Sequence, residues 1–306
     1  MVKRILDLSF SDIKNMKKEE KLLSIKTGEG RTIVSEIISI APPLLLDVSN
    51  VELASAFGAD ILLLNLYDVD NPKVEGVPVK KAEKVIEKIK DLTGRMIGVN
   101  LEPVDLDEKV YDRIKLPKGR IATVSNAKRL VEQGVDMILL TGNPKTGVTN
   151  DQILKSIEKI KEAIGDEIII AAGKMHGSGS VKETGSNIIN KELIGNFIAA
   201  GADIILLPAP GTVPGMTVEY IKELVDYVHY LDKITMTSIG TSQEGADEYT
   251  IRNIAIYSKM TGTDIHHIGD CGISPGMAIP ENIMTYSIAI KGKRHTYRRM
   301  ARSVNR

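Results

Sequence analysis

Four segments of the chain open in nearly the same way, and three of them lead into an unbroken apolar run. They begin at residues 58, 134, 201 and 262, and read GADILLLNLYD, GVDMILLTGNP, GADIILLPAPG and GTDIHHIGDCG. A second series of short apolar runs lies between them, in RTIVSEIIS, GRMIGVNLEP, DEIIIAAGKMH and DKITMTSIGT. Nearly continuous runs of Ile, Val, Leu and Met are typical of strands buried on both faces of a parallel sheet. The two series together predict eight strands.

The segments between these strands carry apolar residues at helical spacing, as in VKKAEKVIEKIKDLTG and TVEYIKELVDYVHYLD, and several begin near Asn, Thr or Asp and end at Gly. Eight strand–helix units in four similar pairs favour a closed barrel over an open doubly wound sheet. We therefore predict an α/β fold, a (β/α)8 TIM barrel, as a single domain over residues 1–306. Residues 1–30 form an N-terminal helical extension, with a helix from Ser11 to about Gly28 that covers the barrel floor.

Composition limits the classes of partner. The chain has 40 basic and 40 acidic residues, 4% aromatic residues, no Trp and one Cys. A neutral chain with few stacking side chains does not favour nucleic acid or an anionic membrane surface, and no apolar run is long enough to span a bilayer. One cysteine excludes an internal disulfide. We expect a cytoplasmic homo-oligomer that binds a small molecule.

The loops that leave the carboxyl ends of the strands build the active site in such barrels. Polar residues stand at the first five of these ends: Glu36, Asn65, Asp68, Asp70, Asn100, Glu102, Thr141, Asn143, Lys174 and His176. Among them we expect Asn65, Asn100 and Thr141 to bind substrate, together with Gly211 after the sixth strand.

Glycine-rich turns follow the seventh and eighth strands, in IGTSQEG and IGDCGISPG. Many barrels bind a phosphate here through backbone N–H groups, which approach the anion closely only where no Cβ intervenes. The predicted phosphate-binding residues are Gly240, Thr241, Ser242, Gly269, Asp270 and Gly272. The alternative is that these glycines only permit tight turns.

Three side chains are candidates for acid–base or nucleophilic chemistry. Glu36 or Glu102 is placed to move a proton next to a carbonyl. Lys174 follows an apolar strand directly, and is either an anion-binding residue, a Schiff-base lysine or a solvated loop residue. The glycines that follow it, Gly177, Gly179 and Gly185, indicate a loop able to close over a ligand.

Carboxylates from neighbouring strands also suggest a metal site. Asp68, Asp70 and Glu102 could together hold Mg²⁺ or Mn²⁺, which prefer oxygen ligands. The alternative is that Asp68 or Asp70 caps a turn before Pro72. Magnesium is the one cofactor that the sequence suggests.

Two histidines replace aliphatic residues in the fourth repeated segment. His266 aligns with Leu62 and His267 with Leu63, and neighbouring strand residues face opposite sides. Because His267 shares the parity of Asn65, we expect it to point into the barrel and take part in catalysis. His266 is then a packed residue between strand and helix.

The pattern resembles the phosphate-binding TIM barrels over nearly the whole chain. SEIISIAPPLLLDVSNVELASAFGADILLLNLYDVDNP, followed by IGVNLEP, resembles an uncharacterised bacterial barrel family often labelled haloacid dehalogenase-like hydrolase. That label implies an Asp-x-Asp-x-Thr/Val motif on the first strand. Here the similar run lies on the second strand and has Pro72 at its fifth position, so we expect the label to be wrong.

Two weaker resemblances suggest other functions. GADILLLNLYD, IGVNLEP and VDMILLTGNPKTG are similar to the BtpA barrel family, which implies a non-catalytic assembly or binding role linked to photosystems. Asp68, Asp70 and Glu102 are similar in order to the phosphoenolpyruvate mutase and isocitrate lyase group, which implies a magnesium enzyme. That group's Glu-Asp-Lys and Lys-Lys-Cys-Gly-His signatures are absent.

The sequence thus favours a lyase, aldolase or isomerase that acts on a small phosphorylated carbonyl compound. Its phosphate is expected in the loops after strands seven and eight, with Glu36, Glu102, Lys174 and His267 as catalytic residues. The magnesium-dependent barrel and the BtpA-like binding protein remain alternatives.

Overall fold

The chain forms a closed barrel of eight parallel strands, each followed by a helix. This computed structural model describes residues 2–105, 107, 109–110, 112–143, 145–177, 185–272 and 275–304. The strands are β1 (Thr32–Ile38), β2 (Ile61–Asn65), β3 (Met96–Leu101), β4 (Met137–Leu140), β5 (Ile169–Gly173), β6 (Ile204–Pro208), β7 (Ile234–Ile239) and β8 (Ile265–Ile268). The predicted TIM barrel is confirmed.

Two N-terminal helices precede the first strand and eight others alternate with the strands. The helices are α1 (Phe10–Ile13), α2 (Lys18–Lys26), α3 (Asn50–Ala56), α4 (Val85–Thr93), α5 (Val124–Glu132), α6 (Asn150–Ile164), α7 (Lys191–Ala200), α8 (Val218–Tyr230), α9 (Glu248–Met260) and α10 (Pro280–Ala301). Side chains at the starts of α5 to α9 accept amide hydrogen bonds, as the sequence predicts for Thr, Asn and Asp caps: Thr123, Thr149, Asn190, Thr217 and Asp247.

The strands separate two apolar cores because alternate side chains face opposite sides. The interior core includes Val34, Leu63, Met137, Leu206 and Met236. A larger core lies between the outer face of the strands and the helices. Both faces of the strands therefore pack against apolar side chains, which explains why the strand sequences are continuous apolar runs.

The N-terminal extension closes the barrel floor. Ile5, Leu8, Ile13 and Ile25 belong to the same apolar cluster as the barrel interior. The extension holds two helices rather than the one predicted, because the Asp12 and Glu20 carboxylates each accept the amide three residues earlier and start separate helices. The predicted cap Ser11 lies inside α1, and Ser9 is the residue at its start.

The repeated Gly-x-Asp motif stands at the base of the even-numbered strands, where each aspartate accepts a backbone amide from the strand before it. The four bonds are Ile33 N to Asp60 (2.9 Å), Ile97 N to Asp136 (2.8 Å), Ile170 N to Asp203 (2.9 Å) and Thr235 N to Asp264 (2.8 Å). The repeat therefore fixes strand register at the end of the barrel away from the predicted active site.

A cationic or histidine side chain lies against each of these aspartates: Lys291 and Arg299 at Asp60, Lys21 and Lys90 at Asp136, Lys18 at Asp203, and His229 at Asp264. We call Asp60, Asp136, Asp203 and Asp264 the base aspartates. Within the described ranges, no helix combines the length and the apolar character needed to cross a membrane.

Candidate active site

A cavity of about 250 Å³ lies at the carboxyl ends of the strands. This is the end of the barrel where the sequence predicts the active site. The lining residues are Glu36, Ile38, Asn65, Asn100, Thr141, Gly142, Asn143, Met175, His176, Gly240, Ser242, Glu244, Gly269, Asp270 and Gly272.

Glu36, at the fifth position of β1, is held by two neighbours. Its Oε2 lies 3.0 Å from His267 Nε2, and Asn65 Nδ2 donates to its Oε1. On the other side of the imidazole, Ser238 Oγ lies 2.6 Å from His267 Nδ1. Ser238 and His267 are fully buried, and Glu36 is 6% exposed at the cavity wall. The carboxylate therefore has a fixed position, with the imidazole beneath it.

Three asparagines form a hydrogen-bonded layer beside Glu36. Asn65 and Asn143 pair reciprocally at 2.8 and 3.0 Å, and Asn100 Nδ2 donates to Asn65 Oδ1 at 3.1 Å. Asn143 Nδ2 also donates to Glu102 Oε1 at 2.8 Å. Since each partner belongs to a different strand or loop, the layer fixes the relative positions of β2, β3 and the loop after β4.

Two further carboxyl groups, Glu244 and Asp270, share the cavity with Glu36. Burial, with Asp270 and Glu36 nearby, raises the pKa of Glu244 to about 7. Burial and the Glu36 charge raise the pKa of Asp270 to about 6. Near neutral pH the mouth thus holds carboxyl groups able to donate a proton.

His176 and Lys174 lie on the β5 side of the site. His176 lines the cavity, and burial lowers its pKa although the Glu36 charge opposes this. Lys174 is fully buried and is not among the lining residues. It contributes a positive charge that also lowers the pKa of His176. The predicted loop glycine Gly179 lies outside the described residues.

Three buried polar atoms of the cavity wall are unpartnered. They are Asn100 Oδ1, Thr141 Oγ1 and Glu244 Oε2, and within the described ranges no group hydrogen-bonds to any of them. Their residues are 3 to 5% exposed. Buried polar atoms in folded proteins normally have partners, so these three atoms are available to a ligand in the cavity.

The predicted phosphate-binding residues divide into two groups. Gly240, Ser242, Gly269, Asp270 and Gly272 line the cavity. The amides of Gly269 and Gly272, however, already donate to Ile239 O (2.9 Å) and Asp270 Oδ1 (2.7 Å).

The two other loop residues of the prediction lie away from the lining. Thr241 Oγ1 donates to Thr212 O at 2.9 Å, and Gly211 N donates to Met216 O at 3.1 Å within the loop after β6. Their contacts are those of structural turn residues.

The carboxylates predicted to bind magnesium do not converge on a free site. Asp68 accepts the amide of Asp70 at 2.9 Å, and Asp70 pairs with Arg129. Glu102 pairs with Arg120 and Asn143, and burial raises its pKa although Arg120 opposes this. Across the residues that can be described, no three His, Cys, Asp or Glu side chains are grouped to hold a metal ion. In this arrangement Asp68 caps a turn and Asp70 is paired with Arg129, so the assignment of Asp68 and Asp70 as metal ligands stays a prediction.

The two histidines of β8 face opposite sides, as their strand parity predicts. His267 points into the barrel beneath Glu36. His266 Nε2 lies 3.1 Å from Gly30 O, and its ring packs edge-on against Tyr286 of α10. Burial lowers the pKa of His266 to about 4, so this histidine is a neutral packing residue.

A family model described as "Domain of unknown function (DUF7916)" matches residues 6–306. The chain belongs to this family. No curated protein matches the sequence.

Two solved structures are similar to this DUF7916 protein at low sequence identity. A 2,3-dimethylmalate lyase, described as a PEP mutase/isocitrate lyase superfamily member, is 11% identical with a TM-score of 0.50, over 85% of this chain and 83% of the other. A thiamine phosphate pyrophosphorylase from Pyrococcus furiosus is 14% identical with a TM-score of 0.49, over 87% and 98% of the two chains. The first likeness supports the fold alone.

Several residues of the site have no role predicted from the sequence. Asn143 and His176 each lie three residues beyond the end of a strand, so their position alone is a usable signal. Glu244 lies in the short 3-10 helix Gln243–Gly245, and only the path of the loop after β7 returns its side chain to the cavity. Ile38, Gly142 and Met175 complete the lining without polar side-chain chemistry.

Proposed function

We propose that this protein is a lyase or an isomerase that moves protons on a small carbonyl compound bound in the mouth of the barrel. The observation that carries the proposal is the set of three carboxyl groups in one cavity. Glu36 is fixed by His267 and Asn65, while the pKa values of Glu244 and Asp270 are raised. Carboxyl groups with different environments in one site can serve separately as base and acid.

In the proposed reaction Glu36 is the base. Its carboxylate takes a proton from the hydroxyl-bearing carbon next to the carbonyl, the electrons of that C–H bond form a carbon–carbon double bond, and the π electrons of the carbonyl move onto its oxygen. Protonated Glu244 or Asp270 gives its proton to that oxygen, which forms an enediol. Loss of the proton from the other enediol hydroxyl, with return of a proton from Glu36 to the former carbonyl carbon, gives an isomer. Where the next carbon carries a hydroxyl group, loss of the enediol O–H proton instead re-forms a carbonyl, and that hydroxyl takes a proton from a carboxyl group and leaves as water, which is a lyase reaction.

The phosphate of the sequence-based hypothesis has weaker support than the carbonyl chemistry. Gly240 and Ser242 line the cavity beside the carboxyl groups, but the Gly269 and Gly272 amides are occupied. Three carboxyl groups also disfavour a phosphate dianion nearby. The proposed reaction therefore requires a carbonyl group in the substrate. The experiment below compares substrates with and without a phosphate group.

Hydrogen exchange from solvent tests the proposal. The protein is incubated in D2O with small hydroxyaldehydes and hydroxyketones, each with and without a phosphate, and loss of the proton next to the carbonyl is followed by NMR. We expect exchange with wild-type protein and its loss in Glu36→Gln. Equal exchange by the two proteins would contradict the assignment of Glu36.

Two further readouts separate the alternatives. Trapping with borohydride tests Lys174, since a covalent adduct there would replace proton transfer with a Schiff-base mechanism. Recovery of a stoichiometric protein partner, with no exchange on any compound, would favour the BtpA-like binding role instead.

A further inference from the structure

We propose that the cavity recognises its substrate through the substrate's hydroxyl groups, so that the carbonyl compound is polyhydroxylated and carries no phosphate. This inference names the substrate class of the proposed function. It rests on the proposed function only for the statement that the substrate contains a carbonyl group. The hydrogen-bond donors and acceptors of the cavity wall carry the inference.

The asparagine layer has only one consistent orientation. Leu66 N donates to Asn65 Oδ1 at 2.8 Å, which identifies that atom as the oxygen. Asn65 Nδ2 is then the group that donates to the Glu36 carboxylate, an acceptor without protons when it is ionised. Leu66 itself has φ 56°, so this amide is held by a left-handed backbone that a leucine rarely adopts.

The side-chain amide groups of the other two asparagines also donate to neighbouring side chains. Asn143 Nδ2 donates to Glu102 and to Asn65. Asn100 Nδ2 donates to Asn65 Oδ1, which leaves Asn100 Oδ1 as an unpartnered acceptor at the cavity. The amides of Asn65 and Asn143 thus donate to each other and to the Glu36 and Glu102 carboxylates, and Asn100 presents an unpartnered acceptor at the cavity.

The remaining polar wall has the same character. Glu244 Oε2 is a second unpartnered oxygen, and the Thr141 hydroxyl is a third that can either donate or accept. Glu36 and Asp270 add carboxyl oxygens. A hydroxyl group matches these atoms, because it can donate to Asn100 Oδ1 or to an ionised carboxylate and can accept from protonated Glu244 or Asp270.

Charge and size distinguish hydroxyl groups from other donors. Within the described ranges no Lys or Arg side chain lines the cavity, and Lys174, whose charge acts on His176, is not among the lining residues. A phosphate there would contact carboxyl groups rather than a lysine or an arginine. Raised pKa values keep Glu244 and Asp270 partly neutral near pH 7, which weakens their attraction for an ammonium group. A cavity of about 250 Å³ admits only a small compound.

Calorimetric titration with unreactive polyols tests the proposal. Glycerol, erythritol, xylitol and sorbitol lack a carbonyl, so their binding is independent of proton transfer. Sorbitol 6-phosphate and glucamine supply the same chain with a phosphate or an amine. We expect binding of at least one neutral polyol, and weaker binding of sorbitol 6-phosphate than of sorbitol.

A pair of threonine variants provides the matched control. Thr141→Val removes an unpartnered hydroxyl from the cavity wall, while Thr237→Val removes an equally buried, unpartnered hydroxyl on β7 that does not line the cavity. We expect roughly tenfold weaker polyol binding in Thr141→Val and no change in Thr237→Val.

Three results would overturn the proposal: tighter binding of the phosphate or amine compound than of sorbitol, equal effects of the two variants, or no binding of any polyol. Failure of the exchange assay with intact polyol binding would instead overturn the proposed function and leave the recognition of hydroxyl groups standing.

Discussion

The two ends of the barrel hold carboxyl groups in opposite electrostatic settings. At the base, Lys90 and Lys21 lower the pKa of fully buried Asp136, although burial alone would raise it. At the mouth, Glu244 and Asp270 share a cavity with Glu36, and their pKa values rise to about 7 and about 6. The same residue types therefore serve register and stability at one end and are available for proton transfer at the other.

The fourfold Gly-x-Asp repeat belongs to the base of the barrel. Each base aspartate bonds a backbone amide of the preceding strand, so Gly-x-Asp recurs because the barrel requires it at every second strand. The described strand ends at the mouth share no comparable fourfold motif: asparagines are confined to β2, β3 and the loop after β4, while β1 carries Glu36 and the loop after β5 carries His176. Repetition marks the structural end of the barrel, and departure from it marks the chemical end.

Replacing Glu36, the proposed base at the mouth of the barrel, should have the largest effect on activity. We expect Glu36→Gln to slow hydrogen exchange roughly a thousandfold, because the amide cannot accept the proton. Its free energy of unfolding, measured by urea denaturation, should stay within about 1 kcal/mol of wild type, as the side chain lies at the cavity wall. A variant that unfolds readily would place Glu36 among the structural carboxylates.

Replacing a base aspartate should have the reverse effect. Asp60→Asn leaves Lys291 and Arg299 buried without their carboxylate, and we expect a loss of about 3–5 kcal/mol in the free energy of unfolding. Exchange activity per folded molecule should be retained. The control is Asp232→Asn at an exposed pair with Lys26, where the loss should be below about 1 kcal/mol. Similar losses in both variants would remove the distinction drawn for the base aspartates.

A smaller and pH-dependent effect is expected at Glu244. Its pKa in the folded state, about 7, lies above its ordinary value of 4.5, so the folded protein binds this proton more tightly than the unfolded chain. Stability from this group is complete below pH 4.5 and is lost as the pH rises to about 7. Glu244→Gln should therefore raise the free energy of unfolding by about 1–3 kcal/mol at pH 8, and change it little at pH 4. A gain of equal size at both pH values would point to packing rather than to proton binding.

The fold could be predicted because its signals are local and repeated. Strands buried on both faces read as apolar runs, and the start of a helix reads as a Thr, Asn or Asp cap. Strand parity was sufficient to separate His267 from His266, since it depends only on the alternation of side chains. Asn65, Asn100 and Thr141 lie at the cavity because the barrel places strand ends together.

The remainder of the site depends on contacts between distant loops. The sequence predicts Asp70 and Glu102 as metal ligands, but in the structure Arg129 and Arg120 from other parts of the chain pair with these carboxylates. The spacing of these residues in the sequence does not predict the two ion pairs. Glu244 reaches the cavity only through the fold of its loop, and the raised pKa of its carboxyl group arises from burial that a sequence does not display.

Titration of the carboxyl groups by carbon-13 NMR tests the contrast between the two ends most directly. With Asp and Glu side chains labelled, and signals assigned by Glu244→Gln, Asp270→Asn and Asp136→Asn, all three groups are followed in one protein. We predict midpoints near pH 7 for Glu244 and near pH 6 for Asp270, with Asp136 titrating below its ordinary value of 3.8. Midpoints near pH 4 for Glu244 and Asp270 would contradict it, because the mouth would then hold no carboxyl group able to donate a proton at neutral pH.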